Sequence, residues 1–220
     1  LEYAKPLSVV ILFRFMSLTL MAKTAGTMGT AVTAAYQVLA NVIVLFGLFG
    51  DPLSQTAQTM LPSLLDRPSA KARKLVKNLS MVGIGISASV GLFSAFILKA
   101  SAQLFTTDAQ VQSILRGTTM VPVTVASLIL SQVCDGAMLA AREFPLVIKI
   151  TVAATSLQAL LLMAATRFNW SLEVVFLSLS IRYWLFLLII SWRCLVGRGA
   201  LGEALHVDSG SGARAQVVVQ

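Results

Sequence analysis

The sequence predicts an all-α membrane protein with six membrane-spanning helices. Two observations predict it. Hydrophobic residues make up 57% of the 220 and charged residues 12%, with a mean hydropathy of +0.84, too apolar for an ordinary water-soluble domain. The apolar runs are also continuous and about 20 residues long, the length a helix needs to cross a hydrocarbon core. Strands of a membrane β-barrel would alternate polar and apolar residues instead.

Pro6 to Ala25, PLSVVILFRFMSLTLMAKTA, is the first span. Lys23 at its far end can snorkel to the headgroups, whereas Arg14 near the middle cannot, and is expected to face the bundle interior. Met28-Gly29-Thr30 reads as a tight turn. The next stretch, Ala31 to Leu65, organises the chain. Its first part, Ala31 to Gly50, is apolar and uncharged, and it runs without a break into Asp51-Pro52 and then Ser54, Gln55, Thr56, Gln58 and Thr59. An Asp at mid-helix costs roughly 2.5–3.5 kcal/mol on insertion scales, so polar groups at this depth line a cavity or pathway. Pro52 removes a backbone donor and is expected to kink the helix.

Asp66 to Lys77, DRPSAKARKLVK, reads as a basic polar loop. Leu79 to Leu98 is the third span, and its Gly83, Ser87 and Gly91 recur every four residues, a small-residue stripe that lets helices approach closely. Ser101 to Arg116 reads as a polar connection leading into an amphipathic helix, with Thr107 as N-cap and Gln110 completing a capping box. The fourth span, Gly117 to Ala141, contains Pro122, Gln132, Asp135 and Gly136. The fifth, Leu146 to Thr166, carries Lys149 near its entry and Gln158 inside. The sixth, Leu172 to Leu195, has Arg182 in the middle. Gly197 to Gln220 is Gly/Ser-rich and is expected to be disordered.

A net charge of +8 and a pI near 10.0 would suggest nucleic acid in a soluble chain. Here the basic residues concentrate in the N-terminus, the second-to-third and fourth-to-fifth loops and the tail. The positive-inside rule therefore accounts for them, with both ends on the cytoplasmic or equivalent side and no nucleic-acid partner. Cys134 and Cys194 lie in or at the end of apolar segments without a CxxC, as buried thiols do. His206, the one histidine, is in the tail, and no Walker-type loop is present. Metal boxes, Cys–His or Ser–His dyads and ATP-driven chemistry are therefore not expected, nor is a cofactor. The chain begins at Leu1 and reads as a fragment of a longer or processed one.

Several segments carry a family resemblance. MGTAVTAAYQV resembles the LGT…AA(H/Y)Q entry to the eighth helix of MATE (multidrug and toxic compound extrusion) transporters. GDPLSQTAQTMLPSLL resembles the G(E/D)PLSQTAQ pattern, followed by a Pro, of the family's plant plastid-envelope branch. KARKLVKNL, LFTTDAQV and CDGAMLAAREF match the family segments that follow, in the same order and spacing, so that the resemblance covers Val9 to Leu195. Within that branch the chain looks most like the salicylate-exporter type of the DETOXIFICATION family. The resemblance implies twelve helices in two six-helix lobes with a cavity between them. Residues 1–196 would be the C-terminal lobe, residues 197–220 a tail, and the N-terminal lobe a missing partner. It further implies a secondary active antiporter, not an enzyme, that exports a small organic anion or xenobiotic against H⁺ rather than Na⁺ across a plastid envelope. The rival readings are a non-transporting scaffold that docks through the Gly83–Gly91 stripe and a lipid-precursor flippase of related fold.

Seven side chains are the candidates for this chemistry. Asp135 resembles the acid before Gly in the family's tenth helix. Burial disfavours a charged carboxylate, which makes it a candidate proton carrier, the alternative being a permanent pair with Arg14 or Arg182. Asp51 is a second proton-coupling candidate. Gln55, Gln58 and Gln132 are candidate substrate donors, though Gln55 and Gln58 could equally bond a neighbouring helix. Arg14 and Arg182 depart most from a bland bundle: two guanidiniums suit an organic anion, whose carboxylate each can clamp through paired N–H donors.

Overall fold

The computed structural model describes residues 4–65, 70–197, 199, 201 and 202. Among them are nine α-helices and no strand: α1 (Ala4–Thr27), α2 (Thr30–Gly47), α3 (Asp51–Leu65), α4 (Ala70–Ala100), α5 (Ala102–Phe105), α6 (Ala109–Gly117), α7 (Met120–Ala140), α8 (Phe144–Arg167) and α9 (Leu172–Leu195). Six candidate spans result, because α2 and α3 join through the 3-10 turn Leu48–Gly50 into one apolar stretch, Thr30–Leu65. The chain thus changes hydrogen-bond pattern just ahead of Asp51-Pro52, where the proline's missing donor predicted a kink.

Two sequence expectations are corrected. The basic residues from Lys71 to Lys77 form the first turns of α4 rather than a loop, since an Ala/Lys/Arg/Leu run is a good helix former. Residues 66–69, Arg67 among them, lie outside the described residues. At α6 the N-cap is Asp108, not Thr107. Its Oδ1 accepts from the Gln110 and Val111 amides at 2.8 and 3.5 Å, a reach available only from the residue immediately before the helix. At the chain's end, Gly199, Leu201 and Gly202 are helical and Leu201 is buried against the α7–α9 side of the core. Residues 203–220, with most of the expected tail and His206, lie outside the described residues.

α7 is the most buried span and the hub, packed by α3, α4 and α9. The small-residue stripe on α4 makes one of these contacts. A Cβ on Gly83 would stand 3.0 Å from Val133 Cγ2, and one on Gly91 would stand 3.3 Å from both the Ala126 Cβ and the Pro122 carbonyl. The stripe is therefore filled within the chain. Gly136 makes the closest approach to α3, where an added Cβ would lie 2.5 Å from the Ser54 carbonyl oxygen. Large apolar side chains such as Leu12, Phe15, Leu92, Phe96, Leu160 and Leu188 stay exposed on the outside, the pattern of helices that contact lipid.

The N-terminus of α7 is completed by a side chain 54 residues away. Glu173 accepts from the Thr119 amide at 2.5 Å and from the Met120 amide at 3.0 Å, satisfying two orphan donors with a charge of the favourable sign. Glu173→Ala is expected to destabilise the chain by about 1–2 kcal/mol. Thermal unfolding in detergent would check this, and an unchanged midpoint would show that water replaces the carboxylate.

Candidate functional site

Four helices place polar side chains at helical spacing on the faces they turn to one another. On α7 these are Thr124, Ser127, Ser131 and Asp135; on α8 they are Thr151, Thr155 and Gln158. Such three- and four-residue steps keep side chains on one face. α1 adds Arg14 and Ser17, and α9 adds Arg182. Of these, Arg14, Ser131, Asp135, Thr151 and Arg182, together with Gln132 and Tyr183, line a cavity of about 180 Å³.

The cavity's charges are unequally matched. The Arg14 guanidinium donates to Asp135 Oδ2 in an ion pair, with the arginine at the open side (side chain 47% exposed) and the acid inside (11%). Asp135 Oδ1 is buried without a hydrogen-bond partner. Arg182 is 7% exposed and lies near enough to Arg14 and Asp135 to feel the charge of each. Among the described residues it forms no ion pair or hydrogen bond. A buried charge is ordinarily paired, so this guanidinium is the anomaly of the site.

Of the predicted site residues, the structure brings Arg14, Gln132, Asp135 and Arg182 together. Asp51 joins them at one remove, since Gln132 Nε2 donates to its Oδ1 at 2.8 Å. Gln55 and Gln58 do not line this cavity. Both are exposed on α3, and Gln58 Nε2 donates to Ser54 Oγ at 3.1 Å. Sequence reasoning missed Ser131, Thr151 and Tyr183 in the lining. It also missed the adjoining bond from Ser17 Oγ to Gln158 Oε1 at 2.5 Å, beside which Gln158 Nε2 and Thr155 Oγ1 lack partners. The signal was available in the periodic hydroxyls of α7 and α8, although serines and threonines in apolar helices also bond their own backbone, as Ser127 and Ser131 do.

A second cavity of about 480 Å³ opens at the other end of the bundle, beside Thr27, Thr118, Asn169, Trp170 and Glu173. Its one carboxylate, Glu173, already accepts from the α7 amides.

No family model matches the chain, and no solved structure does. The chain is similar to Protein DETOXIFICATION 47, chloroplastic, of Arabidopsis thaliana, with 28% identity over 174 residues. That match covers 77% of this chain and 32% of the relative, so the chain spans about a third of the length of the curated relative it matches. Six helices long and apolar enough to cross a membrane, together with this likeness, support a multi-pass integral membrane protein.

Proposed function

We propose that this chain is the C-terminal lobe of a secondary active transporter of the MATE type, which moves a small organic anion and draws on a proton gradient. One observation carries the reading: Arg182 is buried at membrane depth with no acid of its own, while the nearby Asp135 is engaged by Arg14. A guanidinium in that position favours a carboxylate, which it can hold through two parallel N–H donors. A cation would meet a surplus of positive charge. The volume of about 180 Å³ is below the roughly 300–1,000 Å³ of drug-sized pockets, which suits a small molecule.

Asp135 is the proton carrier in this reading, and Asp51 is a second acid tied to it through the Gln132 amide. Gln55 and Gln58 are exposed on α3 and do not line that cavity. The chloroplast name of the relative favours a plastid envelope as the membrane. The scaffold reading loses its docking surface, because the Gly83–Gly91 stripe already packs on α7.

Flux of labelled benzoate into vesicles tests the proposal, with this chain supplied together with a first lobe and with or without a pH gradient. Gradient-driven flux that Asp135→Asn abolishes, in a variant that still folds, is the expected result. Folded wild-type protein with no gradient-dependent flux of any anion would overturn it in favour of the scaffold.

A further inference from the structure

We propose that water is bound inside the α1–α8 contact, at a site built by Ser17, Thr155 and Gln158, and extends the Arg14–Asp135 cavity inward as a short hydrated seam. The site goes beyond the anion reading and does not depend on it. Ser17 and Thr155 are wholly buried and Gln158 is 1% exposed. The Ser17 hydroxyl donates to Gln158 Oε1 at 2.5 Å, but Gln158 Nε2 and Thr155 Oγ1 are buried with no hydrogen-bond partner. Exchanging the two ends of the amide does not remove the deficit. One serine hydroxyl meets only one end, and the other stays orphaned.

Buried polar atoms in native structures are nearly always satisfied, by protein or by ordered water. Water fits these atoms. The Gln158 amide donates, the Thr155 hydroxyl donates or accepts, and the Ser17 oxygen keeps an acceptor lone pair after bonding Gln158. A buried water ordinarily makes about three such bonds. Thr155 and Gln158 are three residues apart on α8 and so project from one face. None of the three side chains carries a charge to offset an ion's lost hydration, which selects a neutral occupant. Arg14, three residues from Ser17 on α1, disfavours a cation further.

The seam is continuous with the cavity. On α8, Thr151 and Ala154 line the cavity, and Thr155 and Gln158 follow one and two turns beyond Thr151. On α1, Arg14 and Leu18 line it and flank Ser17. From Thr151 to Gln158 the helix rises about 10 Å, roughly a third of a hydrocarbon core. Next on the two faces come Met21, four residues after Ser17, and Leu162, four after Gln158. They are 1% and 2% exposed and belong to one apolar cluster. Hydration therefore stops there, short of the second cavity, which α1 and α8 reach only at Thr27 and Ala165. The seam opens toward the Arg14–Asp135 cavity alone.

Radiolytic labelling of the chain in detergent tests the site, because hydroxyl radicals formed from bound water oxidise the side chains beside it. Met21 is the reporter, a sulfur at 1% exposure one turn from Ser17. The expected result is that Met21 is oxidised despite its burial. Its labelling should fall severalfold in the variant Ser17→Ala/Thr155→Val/Gln158→Leu, while Met60 and Met163, 52% and 58% exposed, keep their rates. Met21 left unoxidised in the wild type, or oxidised equally in the triple variant, would overturn the proposal. Where the triple variant does not fold, Thr155→Val alone decides. It exchanges a hydroxyl for a methyl of the same shape at nearly equal helix propensity. With water bound, a hydrogen bond is lost and the unfolding temperature falls. With a dry contact, an orphaned hydroxyl is removed and the temperature holds or rises. An unchanged or raised temperature would therefore overturn the water site and leave the Arg182 anion reading untouched.

Discussion

Arg182→Gln is expected to weaken benzoate binding by about 2–4 kcal/mol, roughly 30- to 1,000-fold, and to raise the unfolding temperature of the ligand-free chain. The two effects share one cause. Arg182 is 7% exposed and has no acid in hydrogen-bond contact among the described residues, so the folded chain bears much of the cost of desolvating its charge. A neutral amide removes that cost. It also removes the two donors that would clamp a carboxylate, and so function and stability move in opposite directions. Titration with benzoate and thermal unfolding in the same detergent check both halves. Unchanged affinity would place the anion elsewhere, and a lowered unfolding temperature would show that the guanidinium holds the fold together.

Gly136→Ala is the second large effect, a loss of about 1–3 kcal/mol from overpacking where α3 crosses α7. The added Cβ would lie 2.5 Å from the Ser54 carbonyl oxygen, 2.7 Å from its Cα and 2.9 Å from its Oγ. Two of those three atoms belong to the backbone, so no rotamer change relieves the clash and Ser54→Ala should not rescue it. α3 must shift bodily, and with it Asp51 and its bond from Gln132. Gly85→Ala is the matching control: a Cβ there meets nothing within 4 Å, and alanine should gain about 0.5–1 kcal/mol by helix propensity. Equal losses at both glycines would mean that the α3–α7 approach is looser than its geometry.

The charged and amide residues of the site were legible because apolar spans make them conspicuous. An arginine at position 14, an acid at 135 and an arginine at 182 each break a run in which nearly every neighbour is apolar. The hydroxyls were harder to read. Thr124, Ser127 and Ser131 share a face with Asp135, yet isolated serines and threonines are common in membrane helices and bond their own carbonyls, so spacing alone did not separate lining from filler. Gln55 and Gln58 were equally conspicuous, but the structure does not bring them to this cavity. Their three-residue spacing gives a shared, exposed face that does not line it.

By itself the sequence determined that the chain is helical and crosses a membrane six times, since span length and continuous apolarity are local properties set by bilayer thickness. It also made Arg14, Asp135 and Arg182 conspicuous as charged residues inside apolar runs. What it did not determine is who pairs with whom. Asp135 lies 121 residues from Arg14 and 47 from Arg182, and either pairing was compatible with the order of the helices. Only the packing of α1, α8 and α9 against α7 decided that Arg14 takes the acid and that Arg182 does not. Side-chain reach is a few ångströms, so a difference of one helix turn in register decides a charge pair that no local pattern encodes.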